Sequence, residues 1–182
     1  MTSIKTKNIS MTAMGIALFV AMTFCVQVPV FENYYLCMGY IAMVVFLYKF
    51  GVISGTIVGT VGTFLYCLLS SGMRGMPGWV VGNIIIGIGL GLTLKATKKL
   101  KPIPWYIVNT IMICISTALG ILVMKSFTEM LLYSQPLIVR MGKNIYAFVA
   151  DIVVLVIGLI FCKTFDKSAK QENDKINNTQ QV

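Results

Sequence analysis

The sequence predicts an all-α integral membrane protein of six transmembrane helices with both termini in the cytoplasm. Three observations carry that prediction. The 182 residues are 57% hydrophobic and 12% charged, about half the charge that covers a soluble domain. The apolar residues gather into six runs close to the roughly 20 residues that cross a bilayer. The Lys and Arg residues then fall mostly on one side of those runs.

The first run, Met11 to about Val30, ends at Pro29 and the polar pair Glu32-Asn33. Lys5 and Lys7 before it imitate a signal-peptide n-region, but the run is too long for an h-region and no A-x-A site closes it, so it reads as an uncleaved helix. The second run covers about Tyr34 to Phe50 and the third Gly51 to about Ser70. A loop with Arg74, Pro77 and Gly78 leads to the fourth, about Trp79 to Leu94. The fifth is about Ile103 to Met124 and the sixth about Asn144 to Cys162. The chain divides into a cytoplasmic segment (1–10), a membrane domain (11–163) and a polar tail (164–182) whose composition predicts disorder.

With the N-terminus inside, eleven of the 15 Lys and Arg residues are cytoplasmic and four (Arg74, Lys125, Arg140, Lys143) lie outside. That asymmetry sets the orientation and explains the net charge of +9 without nucleic acid. The longest outer loop, Lys125 to Lys143, mixes apolar and charged residues and reads equally well as a lid or as a short interfacial helix.

The chain has no histidine, which removes histidine-dependent catalysis, histidine metal sites and histidine proton relays. The five cysteines form no C-x-x-C pair and read as small hydrophobes within apolar runs. No phosphate-binding G-x-x-x-x-G-K-[ST] occurs, so this chain does not hydrolyse ATP. No enzyme, metal or cofactor is expected.

Two kinds of constellation remain. Ala13, Ala17 and Ala21 lie at four-residue spacing on one face of the first helix, suited to close helix packing within the protein or to a partner helix. Gly51, Gly55 and Gly59, then Gly62, repeat the device in the third helix, as do Gly78, Gly82, Gly87 and Gly91 in the fourth, predicting that these two helices pack tightly. The second constellation is polar: Gln27, Glu32, Tyr35, Arg74, Trp79, Asn83, Arg140, Asn144 and Asp151 come from separate segments to the outer level of the membrane. Polar groups inside a bilayer are costly, and a few of them among apolar walls make a small-ligand pocket. Trp105 reads as an interfacial belt residue at the inner face and Asn109 as interhelical glue.

Six helices, internal termini and the alanine row resemble the substrate-binding S component of energy-coupling factor (ECF) vitamin transporters. FGVISGTIVGTVGTFLYCLLSSG resembles that family's third helix, MPGWVVGNIIIGIGLGL its third loop and fourth helix, and GKNIYAFVADIVVLVIGL its last helix. The resemblance spans about Met11 to Cys162. It implies capture of a vitamin or related micronutrient at the outer face of a prokaryotic plasma membrane. It also implies docking, through Ala13, Ala17 and Ala21, on a transmembrane coupling subunit with two cytoplasmic ATPases, and a toppling motion that releases the vitamin inside. Leu65-Tyr66-Cys67-Leu68 stands where many relatives carry an aspartate, and a single tryptophan near the pocket argues against a thiamin-type clamp. Arg74, Arg140 and Lys143 suggest a ligand with a carboxylate or phosphate. The alternatives are a small independent transporter or channel, for which inverted repeats are missing, and an assembly subunit of a membrane complex.

Overall fold

A computed structural model describes the backbone of residues 2–26, 29–31, 34–70, 76–134 and 136–179, and the side chains of 8–26, 36–70, 77–134 and 136–166. Five helices among them are long and apolar enough to cross a membrane, and a shorter apolar helix makes the sixth. The protein is thus an all-α, multi-pass membrane protein.

Helix α1 (Thr2–Cys25) leads to a small antiparallel pair, β1 (Pro29–Phe31) and β2 (Tyr34–Tyr35), with Pro29 opposite Tyr35. This pair occupies sequence expected to end the first span and begin the second. Helix α2 accordingly starts only at Gly39 and ends at Phe50, 12 residues or about 18 Å of rise, too short to span alone. Seven of its residues are buried, and its neighbours are α1, α3 (Val52–Leu69), α4 (Met76–Ala96) and α7 (Leu137–Thr179). Tyr40, Met43 and Val44 on it are fully buried.

A single residue, Gly51, joins α2 to α3. Its φ of 93° lies in a region that residues with a Cβ rarely adopt, so glycine is what permits so abrupt a reversal. The α3 glycines face α2 and α1 rather than α4: a Cβ at Gly55 or Gly59 would strike Leu47 or Met43, and one at Gly62 would strike Phe19. The expected tight packing of α3 with α4 is instead made by Gly87 and Gly91 of α4, which receive Thr56 and Val52.

The fifth crossing is one continuous rod, Pro102–Tyr133, made of α5 (Pro102–Thr117), a π-helical stretch (Ala118–Lys125) and α6 (Ser126–Tyr133). The outer loop expected from Lys125 to Lys143 is therefore a helical hairpin with a connection of only Ser134 to Pro136. Ser134 takes the left-handed conformation (φ 52°) and Pro136 follows, a sequence of events that stops a helix. Glu129 and Ser126 keep α6 helical against the protein by burying one face. At the other end, α7 continues to Thr179, well past Cys162 and into the polar tail.

Candidate functional site

The sites expected from sequence separate into two groups. Gln27, Glu32, Arg74 and the side chain of Tyr35 lie outside the described residues. Trp79, Asn83, Arg140, Asn144 and Asp151 are described, and they form two linked clusters under the outer end of the bundle.

The first cluster centres on a residue sequence reasoning passed over, Tyr40. The Trp79 indole N–H donates to its oxygen at 2.8 Å, and its hydroxyl reaches Asn83 Oδ1 at 2.7 Å and Asp151 Oδ2 at 3.2 Å. Asn83 Nδ2 donates to Thr63 Oγ1 at 2.5 Å and lies 3.3 Å from the Gly59 carbonyl. Helices α2, α3, α4 and α7 thus meet in one hydrogen-bonded knot. Tyr40, Thr63 and Asn83 are fully buried and Asp151 nearly so, while Trp79 remains half-buried. Buried polar groups must be partnered, and here the helices partner each other.

The second cluster belongs to the hairpin. Arg140 Nη1 lies 3.6 Å from Glu129 Oε2, and Asn144 Nδ2 donates to Ser126 Oγ at 2.9 Å and approaches Glu129 Oε2 at 3.4 Å. Arg140 also stands 5.8 Å from the Tyr133 ring centroid. Lys125, the last residue of the π-helical stretch, is buried and interacts electrostatically with both Glu129 and Asp151, which joins the two clusters. Two basic side chains, Lys125 and Arg140, thus stand among two acidic ones, Glu129 and Asp151, an arrangement that buried ionisable groups require. Glu129 joins Asp151 as a second intramembrane carboxylate. Arg140 faces Glu129 through Nη1, while its Nε is buried without a hydrogen-bond partner among the described residues. Lys125 and Glu129 escaped notice because the sequence places them in an apparent loop, and Tyr40 because a lone tyrosine in an apolar run looks like core.

The alanine row has a clear position. Ala13, Ala17 and Ala21 are exposed, while the opposite edge of α1 buries Gly15, Phe19 and Thr23 against the bundle. Internal packing, one of the two uses open from spacing, is thus supplied by the other face. Trp105, expected at the interface belt, is instead fully buried, with Lys163 4.5 Å above its ring centroid and Tyr48 and Tyr106 edge-on. Asn109 donates to Thr97 Oγ1 at 3.0 Å, tying the end of α4 to α5. All five cysteines are free thiols, and no group of three metal-ligating side chains occurs among the described residues.

A family model described as "ECF-type riboflavin transporter, S component" matches residues 3–167. No curated protein and no solved structure matches the chain. The matched stretch takes in all six helices and both polar clusters, and it agrees with the resemblance read from the glycine and alanine patterns. The chain belongs to the riboflavin-type S component family of ECF transporters, as a substrate-binding transporter subunit.

Proposed function

We propose that this protein captures riboflavin at the outer face of a prokaryotic plasma membrane and passes it inward when docked on a transmembrane coupling subunit driven by two cytoplasmic ATPases. The observation that carries the substrate is the family match over residues 3–167. The chemistry of the outer end supports it. Riboflavin is uncharged, with a flat aromatic ring edged by carbonyls and an imide N–H and a hydroxylated chain. A charge-balanced set of directional groups beside apolar and aromatic walls suits such a ligand. It suits a carboxylate or phosphate poorly, because Arg140 already faces Glu129; riboflavin therefore replaces the anionic vitamins suggested by charge counting.

In this reading Trp79, half-buried above Tyr40, offers its ring to the flavin, and Asn83 and Asp151 hold Tyr40 and Trp79 in place. Asn144 and Arg140 set the hairpin at the rim, with Gln27, Glu32, Tyr35 and Arg74 contributing from the outer segments. The exposed Ala13, Ala17 and Ala21 face supports docking on the coupling subunit, since small residues let two helix backbones approach closely.

The test is flavin fluorescence titration and native mass spectrometry of the chain purified alone in mild detergent. One riboflavin per chain, with thiamin and pantothenate failing to compete, is the expected result. A chain that stays bare with riboflavin yet retains another vitamin would overturn the substrate.

A further inference from the structure

At the opposite end of the bundle from the polar clusters, α2, α3 and α4 enclose a cleft of about 290 Å³. Its walls carry Lys49 from α2, Lys95 from the last turn of α4 and Lys98 from the 3-10 turn that follows it, over an apolar floor of Leu47, Val52 and Leu94. None of the lining residues is a carboxylate. Asp166 of α7 is, among the described residues, the acid that pairs with Lys49. Among the described residues neither Lys95 nor Lys98 forms an ion pair. The cleft exists because the one-residue Gly51 reversal brings α3 up beside α2, while Gly91 admits Leu47 and Val52 close to α4. Val52 opens α3 at the cleft wall, and no side chain caps that helix start.

A cleft with three cations, one of them partly neutralised, and an apolar floor is built for a small anion attached to something greasy. Its volume sits at the lower end of the roughly 300–1,000 Å³ of small-molecule sites, enough for one phosphate ester and its immediate substituent. The lysine-rich ends face the cytoplasm by charge asymmetry, at headgroup depth, and the exposed Phe50 and Ile53 beside the cleft offer an apolar ledge. Basic pockets between helices on this side of a membrane are where anionic headgroups settle.

We infer that this cleft binds a phosphoryl group, and that its source is the headgroup of an anionic phospholipid of the inner leaflet, with an acyl chain along Phe50 and Ile53. The site is separate from the riboflavin site and does not depend on it.

The experiment is native mass spectrometry of the delipidated full-length chain in mild detergent, offered equal amounts of phosphatidylglycerol and phosphatidylcholine with identical acyl chains. The chain is expected to retain phosphatidylglycerol preferentially, and K95Q/K98Q to reduce that preference about tenfold or more, from the attraction contributed by each lysine near an anionic lipid. K99Q/K101Q, which removes the same charge from exposed positions outside the cleft, is expected to leave the preference intact. A parallel arm offers glycerol 3-phosphate alone; retention of it as strong as that of the lipid keeps the phosphoryl site and assigns it to a soluble ester. Equal retention of the two lipids, or equal losses in the two double variants, would overturn the site. Melting curves of each variant report folding independently of flavin binding, and K98Q alone, at an exposed position, serves if K95Q/K98Q melts early.

Discussion

Tyr40 has one hydroxyl proton and three polar neighbours, and its bookkeeping shows how the outer cluster is held. The Gly59 carbonyl can only accept, so it turns the Asn83 NH₂ toward itself and Thr63 and leaves Asn83 Oδ1 facing Tyr40. The Tyr40 proton therefore serves Asn83 at 2.7 Å, with Asp151 the longer contact at 3.2 Å, and the Tyr40 oxygen accepts from Trp79. Tyr40→Phe keeps the ring and strands a donor on Trp79 and an acceptor on Asn83. It is expected to destabilise the protein by about 1–3 kcal/mol, the cost of unsatisfied buried groups, and to weaken flavin binding by loosening Trp79. Thermal unfolding in detergent checks the first effect and fluorescence titration the second. Glu129→Gln removes the carboxylate facing Arg140 and Lys125 while keeping the side chain's shape. Breaking a buried pair from one side costs roughly 3–5 kcal/mol, and since Arg140 is about one-fifth exposed (21%) the loss is expected toward the lower end, read by the same unfolding assay.

At the scale of elements, α4 and the π-helical stretch of the fifth crossing touch through backbone. A Cβ on Gly120 would lie 2.7 Å from the Gly82 carbonyl, and one on Gly82 2.8 Å from the Gly120 carbonyl. Because the obstacle on each side is backbone, Gly120→Val is expected to cost about 1–3 kcal/mol or more through overpacking. It should also disturb Lys125, five residues on along the same π-helical stretch, so flavin affinity and melting temperature should fall together. Ala17→Leu is expected to behave oppositely. Its position is exposed, so the melting temperature and flavin binding should hold, while co-purification with the coupling subunit is lost if the alanine face is the docking surface. Retained co-purification would move docking to another face.

For the whole molecule, the asymmetry of the lysines is expected to set the hairpin rim outside and the lysine-rich ends inside. Cysteine substitution at Lys143 and at Lys99, both exposed, is expected to give labelling by a membrane-impermeant maleimide in intact cells only at 143, in a background where Cys25 is replaced. Labelling at 99 without permeabilisation would invert the orientation. The two ends also divide the chemistry. The outer end is a charge-balanced network of α2, α3, α4, α7 and the hairpin. The inner end is tied by Asp166 to Lys49 and Tyr48 and by Lys163 stacking on Trp105.

The sequence by itself determined the membrane class, the six helices, the free cysteines and the family, because each is written in properties that survive without coordinates: apolar run length and the spacing of alanine and glycine. It also put Trp79, Asn83 and Asn144 toward the outer end and Asp151 roughly 10 Å deeper on the face of Asn144, since helical rise converts position into depth. Only the tertiary structure decided which of these side chains touch. Helix rotation and register are set by packing, so the choice of Tyr40 as the hub, the pairing of Glu129 with Arg140 and the burial of Trp105 have no one-dimensional signature. The hairpin at Lys125–Lys143 is the clearest case. Its charged residues resemble a solvent-exposed loop until Asp151, Asn144 and Lys125 are brought together, and charge balance between helices then makes a helical path through the membrane tolerable.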